Sequence, residues 1–332
     1  MPNPKTPNWN DIAGEFKGAG LILGNGASIA FDEERFSYSS ILTEARNLGR
    51  ITPGLYRVFQ LMNTTDFERV LQGLWQANYV NSVLGVRNPR LTGVYRGVQR
   101  ALIETVRHIH GNVPHNSLAE RLDKAADFLL QFKTVLSLNY DVLVYWAMMK
   151  GNDRLKNNFA DCFKNQLFQY DWENYHNGYN TLVFYPHGNL ILGRDINGVE
   201  YKIHAKDISN LIETIIQKWT EEELAPVFVS EGTSEQKKVT IDRSRYLSTV
   251  FNDVISRIGE KVVIYGWAMT EQDNHLIEAI KSSSARRFAI SVHLPSGRYE
   301  EKCVRIRRIL NGFNVVFFNT ESEGCWIYQE SN

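Results

Sequence analysis

Four short stretches carry the side chains that could bind or cleave a nucleotide. Leu21-Ile22-Leu23-Gly24-Asn25-Gly26-Ala27-Ser28 reads as a buried strand running into a glycine-rich turn, with a helix after it. Glycine permits positive φ and close approach to bare main chain, and the unpaired N–H groups of a helix start favour an anion such as a pyrophosphate. The Gly24-x-Gly26 spacing lacks the third glycine of the usual dinucleotide fingerprint, so a plain strand-to-helix turn would read similarly. In Leu138-Asn139-Tyr140-Asp141, the Asn139 amide can donate and accept, and so can orient a water; it can also cap the helix that begins at Asp141. Asp141 itself suits a ligand or the first turn of that helix. His187, before Gly188, puts a group of near-neutral pKa at a strand end, where a general base would be useful; a lone histidine is more commonly a packed or surface residue. Ser28 could bond a phosphate or cap its own helix, and Gly266-Trp267 closes a further apolar run.

These stretches need a scaffold that brings them to one edge. Apolar runs at 134–138, 182–185, 227–229, 262–265, 289–292 and 315–318 read as strands, and the last third alternates them with helical segments at 209–222, 242–258, 272–282 and 298–311. Such alternation implies an α/β fold with a Rossmann-like, doubly wound, mostly parallel sheet. Ligands in such sheets bind beyond the carboxyl ends of the strands, which is where Gly24-Asn25-Gly26, Asn139-Tyr140-Asp141, His187-Gly188 and Gly266-Trp267 fall. Between the first two strands the pattern is helical, with apolar stripes at Leu55–Met62, Phe67–Trp75 and Val94–Val106 and a fourth helix over 117–132. We expect one domain over 1–332. Its first strand lies at 20–24, a helical module is inserted over 36–132, and the rest of the core follows over 133–332. Residues 150–180 read as loop with one short helix, 190–203 as a hairpin, Ser230 to Lys238 as a polar loop, and 1–18 as a loose lead-in anchored by Trp9 and Phe16.

The 332 residues are 43% hydrophobic and 22% charged, ordinary for a soluble globular protein, and 37 Lys plus Arg balance 37 Asp plus Glu. No net field recruits nucleic acid or an acidic membrane. Three widely spaced cysteines and a polar, proline-containing N-terminus argue for a cytoplasmic protein, without a disulfide framework or Cys-x-x-Cys zinc ribbon. His108, His110 and His115 cluster at a helix end without supporting thiols or carboxylates, so no metal is expected.

Together, Gly-Asn-Gly-Ala-Ser (24–28), Leu-Asn-Tyr-Asp (138–141), His-Gly (187–188) and Tyr-Gly-Trp-Ala-Met…Asp (265–273) resemble the sirtuin-like superfamily. More narrowly, the glycine turn followed by Phe36-x-Tyr38 and the Ser-Glu-Gly-Thr-Ser-x-x-Lys loop (230–237) resemble an uncharacterised bacterial branch of it. The resemblance implies NAD as substrate, with Gly24, Asn25, Gly26, Ala27 and Ser28 around the phosphates and Phe36 beside them. It implies that Asn139 positions water and the nicotinamide ribose, that Asp141 helps hold the nicotinamide end, and that His187 with Gly188 supplies a base to the ribose hydroxyl. Gly266 and Trp267 fall where sirtuins place a Gly-Thr-Ser turn beside the cofactor.

The chain departs from sirtuins in lacking the Gly-Ile-Pro segment, the zinc-ribbon cysteines and the Thr-Ser pair, here Trp267-Ala268. Relatives without the zinc module resemble NAD-degrading effectors of bacterial antiphage defence. The expectation is therefore an NAD glycohydrolase yielding nicotinamide and ADP-ribose, restrained until triggered, through homo-oligomerisation or a separate sensor protein. A non-catalytic sensor of NAD or ADP-ribose is the alternative, and a deacylase or ADP-ribosyltransferase the third.

Overall fold

The computed structural model describes residues 6–36, 40–111, 115–195, 197–205, 208–221, 224–229, 233–294 and 299–326. Twelve strands occur among them: β1 (Gly20–Leu23), β2 (Thr134–Ser137), β3 (Phe159–Ala160), β4 (Phe163–Lys164), β5 (Leu167–Phe168), β6 (Thr181–Phe184), β7 (Gly188–Arg194), β8 (Glu200–Lys202), β9 (Ala225–Phe228), β10 (Lys261–Tyr265), β11 (Arg287–Val292) and β12 (Asn314–Asn319). Seven form the central sheet in the order β12-β11-β10-β1-β2-β6-β3, every neighbouring pair parallel. The fold is α/β and Rossmann-like. Its strands read as unbroken apolar runs because helices cover both faces: all four residues of β1, β2 and β6 are buried. Strand order reverses at β1, which lies between β10 and β2. That reversal opens a crevice at the carboxyl ends of β1 and β10.

Between β1 and β2 the chain is helical, the main segments being Ile41–Asn47, Pro53–Leu61, Phe67–Val83, Pro89–His110 and His115–Leu129. Ser40, Thr52 and Asn88 cap the first, second and fourth of these through their side chains. Trp9 and Phe16 are buried, Trp9 in a short helix (Trp9–Ile12) with its ring against Phe128, Phe132 and Phe318.

The structure revises four expectations. The run at 227–229 does not join the parallel sheet; β9 pairs antiparallel with β7 in a small sheet ordered β8-β7-β9. Pro226 has no N–H to donate, which suits this edge position. The segment 242–258 is not one helix. Thr233 and Gln236 form a capping box that starts a helix at Ser234–Asp242, Ser244 then caps Arg245–Thr249, and a π turn follows at Val250–Val254. The polar loop expected to reach Lys238 therefore ends at Thr233. Residues 150–180 are more ordered than expected. The helix Leu143–Arg154 runs into them, β3 joins the central sheet, β4 pairs with β5, and a 3₁₀ turn spans Trp172–Asn177. Ser37 and Tyr38, Ile196 of the hairpin turn, and Ser230, Glu231 and Gly232 lie outside the described residues.

Candidate functional site

A cleft of 1490 Å³ lies beyond the carboxyl ends of the central strands. The four strand ends singled out in the sequence meet in it: Gly24, Asn25 and Gly26 after β1, Asn139 and Asp141 after β2, His187 after β6, and Gly266 and Trp267 after β10 all line its walls. The ends of β11 and β12 extend it with Ser291, His293, Asn319 and Glu321.

The glycines are needed here for backbone against backbone. Gly24 N–H donates to Tyr265 O at 2.9 Å and Gly26 N–H to Gly266 O at 2.8 Å, which ties the two turns together. A Cβ on Gly24 would lie 2.5 Å from Trp267 Cα, and one on Gly26 2.8 Å from Gly266 Cα. Gly266 has φ +68°, and its Cβ would meet Ala27 N at 2.5 Å. Ala27 N–H donates back to Gly24 O at 2.9 Å. Three amides of the turn are thus committed within the protein, so the turn offers a phosphate fewer free donors than its sequence suggests. The sequence could not separate these roles, because both require glycine for the same reason: main chain must come close.

Behind this wall sits a buried polar cluster. Asn139 Nδ2 donates to Gly24 O at 3.1 Å and to Ser28 Oγ at 2.8 Å. A carbonyl can only accept, so the nitrogen must face Gly24, and both amide hydrogens point inward. Oδ1 remains as the group Asn139 offers the cleft. It can accept a hydrogen bond from a water, the narrower half of the role its residue type allowed. Ser28 Oγ donates to Asp141 Oδ2 at 2.5 Å, while Asp141 Oδ1 accepts from Leu143 N–H at 3.0 Å. Asp141, not Asn139, therefore satisfies the start of the helix Leu143–Arg154, and Ser28 caps no helix. Burial raises the Asp141 carboxyl to about 6, against the opposing pull of Ser28 and Leu143. Asn189, with no exposed surface, donates to Asp141 O at 2.6 Å and pins this segment to β7.

His187 is 5% exposed, and its Nε2 lies 3.0 Å from Nε2 of His275. The His275 main-chain N–H donates to Ser234 Oγ at 2.8 Å, and its Nδ1 lies 3.2 Å from the same oxygen. Burial, with Lys237 and His275 nearby, lowers the pKa of His187 to about 3; burial and Lys237 lower His275 to about 4. Burial thus disfavours the charged form of both rings, and it makes His187 a weaker base than the near-neutral group that its residue type suggests. Asp273 binds Lys237 Nζ at 2.8 Å and Trp267 Nε1 at 2.9 Å. It occupies the N-cap position of the helix Asn274–Lys281 without capping it through its side chain. Burial pushes its carboxyl up, but Lys237 beside it brings the net shift below the usual range.

Four of the expected site residues stand back from the cleft wall. Ala27 and Ser28 lie in the helix Asn25–Phe31 behind the turn. Phe36 is buried with its ring edge on His110, and its carbonyl accepts from Asn25 Nδ2 at 3.4 Å. Gly188, at φ +73°, serves the crossing of β7 and β9, where its Cβ would lie 2.2 Å from Val227 O. His275 and Asn189 were not singled out in the sequence. A histidine in the first turn of an amphipathic helix and an asparagine inside a strand have no local signature. Among the described residues no cluster of three or more His, Cys, Asp or Glu could hold a metal ion, and no helix is long and apolar enough to cross a membrane. His110 is buried with Nδ1 on Val106 O, and His108 lies 3.9 Å from Glu44.

A family model described as a domain of unknown function (DUF4917) matches residues 21–326. No curated protein matches the chain.

Proposed function

This chain belongs to the DUF4917 family, and we propose that it is an NAD glycohydrolase that cleaves NAD to nicotinamide and ADP-ribose. The observation that carries this reading is the meeting of Asn139 and His187 on one cleft at the β1/β10 strand reversal. Asn139 has only its carbonyl oxygen to offer, and His187 is neutral. Cleavage of the glycosidic bond passes through an oxocarbenium-like state. The bond's electron pair leaves with nicotinamide, water adds to the anomeric carbon, and one proton is released. Asn139 Oδ1 accepts a hydrogen bond from the attacking water, and His187 takes the proton from the ribose hydroxyl or from that water. Asp141 and Trp267 bound the nicotinamide end. The neighbouring strand ends, with Ser291 and Asn319, leave room for the rest of the dinucleotide.

The resemblance to zinc-free sirtuin-like effectors extends the proposal to a regulated role in bacterial antiphage defence, triggered by self-association or by a sensor protein. Exposed Leu61, Tyr79, Val80 and Val83 on the helices between β1 and β2, with Leu84 in the turn that follows, support a docking role for that region.

The test is NAD loss by the purified protein, followed by mass spectrometry, alone and with neighbouring gene products. Nicotinamide and ADP-ribose should form with wild type and fall about 10²–10⁴-fold with His187→Ala or Asn139→Ala. Absence of turnover under every condition, with NAD still raising the melting temperature, would replace the hydrolase by a nucleotide-binding sensor.

A further inference from the structure

We propose that Lys302 is the cation by which this cleft holds a phosphate group of its nucleotide, at the end remote from Asn139 and His187. What the phosphate belongs to rests on the nucleotide reading of the cleft, but the unpaired cation on its wall is a property of the protein alone.

Lys302 stands in the helix Tyr299–Ile309, which links β11 to β12, and it lines the cleft. Asn139 and Asp141 follow β2, on the other side of the strand reversal at β1. In the sheet order β11 lies three strand spacings from β2, about 14 Å at the usual separation. Lys302 therefore serves the end of the cleft away from the reacting bond rather than the bond itself. The glycine turn between the two ends has three amides committed to main chain, which leaves a phosphate short of donors there.

Lys302 is half-buried, yet it makes no hydrogen bond or ion pair among the described residues. Glu300 and Glu301 precede it, but residues one or two apart on a helix do not face each other. Its neighbours three positions away are Tyr299 and Arg305, neither an acid. Tyr299 Oη lies 2.6 Å from Thr6 Oγ1, and Arg305 donates to the carbonyls of Ala268 and Met269. Burial and the Arg305 charge lower the Lys302 pKa. Glu321 is the one carboxylate that the described ends of β11 and β12 bring to the cleft, and it lies 3.2 Å from His293 Nε2. Neutral donors share this wall. Ser291 Oγ accepts from Gly266 N–H at 3.0 Å and keeps its own hydrogen; Asn319 Oδ1 accepts from Glu321 N–H at 3.1 Å, which leaves its amide hydrogens to donate. A partly desolvated cation without a carboxylate contributes nothing to the fold, whereas an anion in the cleft would gain a charge-assisted hydrogen bond from it. Phosphate is the anion a nucleotide carries, and an ammonium meets it as a point charge, without the fixed fork of a guanidinium.

The test is calorimetric binding of ADP-ribose, ADP-ribose 2′-phosphate and adenosine to full-length wild type, Lys302→Gln and Lys302→Arg. Wild type should bind both phosphate-bearing ligands more tightly than adenosine. Lys302→Gln should weaken one or both of them about 10-fold or more. It should leave adenosine binding unchanged, and the melting temperature of the nucleotide-free protein unchanged or raised. Lys302→Arg keeps the charge and should keep most of the affinity. Loss for both ligands assigns the contact to the pyrophosphate, and loss confined to the 2′-phosphate assigns it to the ribose; either supports the inference. Equal affinities of wild type and Lys302→Gln for both ligands would overturn it, as would an equal loss for adenosine, the mark of a disturbed fold rather than a lost charge. If Lys302 governs binding but neither NAD nor NADP is cleaved, the hydrolase reading fails and the phosphate contact stands. Cleavage with a KM indifferent to Lys302→Gln would do the reverse.

Discussion

Replacing Asp141 by Asn should stabilise the protein by an amount that depends on pH in a defined direction. The carboxylate is 4% exposed, and burial raises its pKa from 3.8 to about 6. Below pH 3.8 both folded and unfolded chains hold the proton. As pH rises through 6 the unfolded chain ionises first, so the native state loses the advantage that its tighter proton gave it. A gap of about two pH units corresponds to about 3 kcal/mol. The amide removes this linkage while preserving shape. Its oxygen can still accept from Leu143 N–H, now 3.0 Å from Oδ1. Its nitrogen can donate to Ser28 Oγ, which already accepts from Asn139 Nδ2, at the cost of the acceptor that Asp141 gives the Ser28 hydroxyl. Urea denaturation of both proteins should give similar stabilities near pH 4. The advantage of Asp141→Asn should grow between pH 4 and 6.5 and level off above that at up to about 3 kcal/mol. A difference that is flat with pH, or that shrinks as pH rises, would refute the assignment of Asp141 as a carboxylate strained by burial.

Gly266→Ala should cost more than Gly49→Ala, although both residues have φ +68°: a Cβ on Gly49 meets nothing within 4 Å, whereas one on Gly266 meets Ala27 N at 2.5 Å. Gly49→Ala should show only the left-handed backbone cost of about 1–2 kcal/mol; Gly266→Ala should exceed it in chemical denaturation and abolish NAD-induced stabilisation, and equal losses would show that the two turns do not depend on close approach. His110 is buried, with a pKa lowered by burial to about 4. The unfolded chain takes up a proton near 6.5 that the native state refuses, so stability falls as pH drops from 6.5 toward 4, by about 3 kcal/mol for this group. His110→Phe should flatten that acid limb in thermal melts; an unchanged slope would place the loss elsewhere.

The central sheet was legible because most of its strands are buried four- to six-residue runs followed by punctuation: Gly24 after β1, Asn139 shortly after β2, Pro186-His187 after β6, Gly266 after β10. Strands β3, β4 and β5, two residues each, fall below any periodicity. The sheet to which β9 belongs was not legible either, since pairing is a long-range property. Pro226 hinted at an edge, and Gly188 at a close crossing, but neither names the partner. The break at Arg243-Ser244 was hidden by the helical spacing on both sides, although Thr233-x-x-Gln236 was a readable start signal.

The site divides along the same line. Residues that end strands of the sheet were visible, because topology gathers strand ends whatever their chemistry. The residues that decide how those groups are held were not. His275 is 88 positions from His187, and Ser28 is 113 from Asp141. This separation changes what the glycine turn means. Gly24 and Gly26 read in sequence as a cradle for phosphate and Gly266 as part of a turn beside the cofactor, yet each is already required by the other turn's main chain, with or without a nucleotide. Conformational need at these positions is therefore not evidence of a ligand. The evidence lies instead in groups with no such structural need. His187 is kept neutral and paired by its ring nitrogen, and Asn139 has both amide hydrogens drawn inward and its oxygen left for the cleft. Neither the His187–His275 pair nor the Asn139 amide on the cleft wall is called for by the close approach of the two turns. Their placement, more than the glycines that first attract notice, is where the case for chemistry rests.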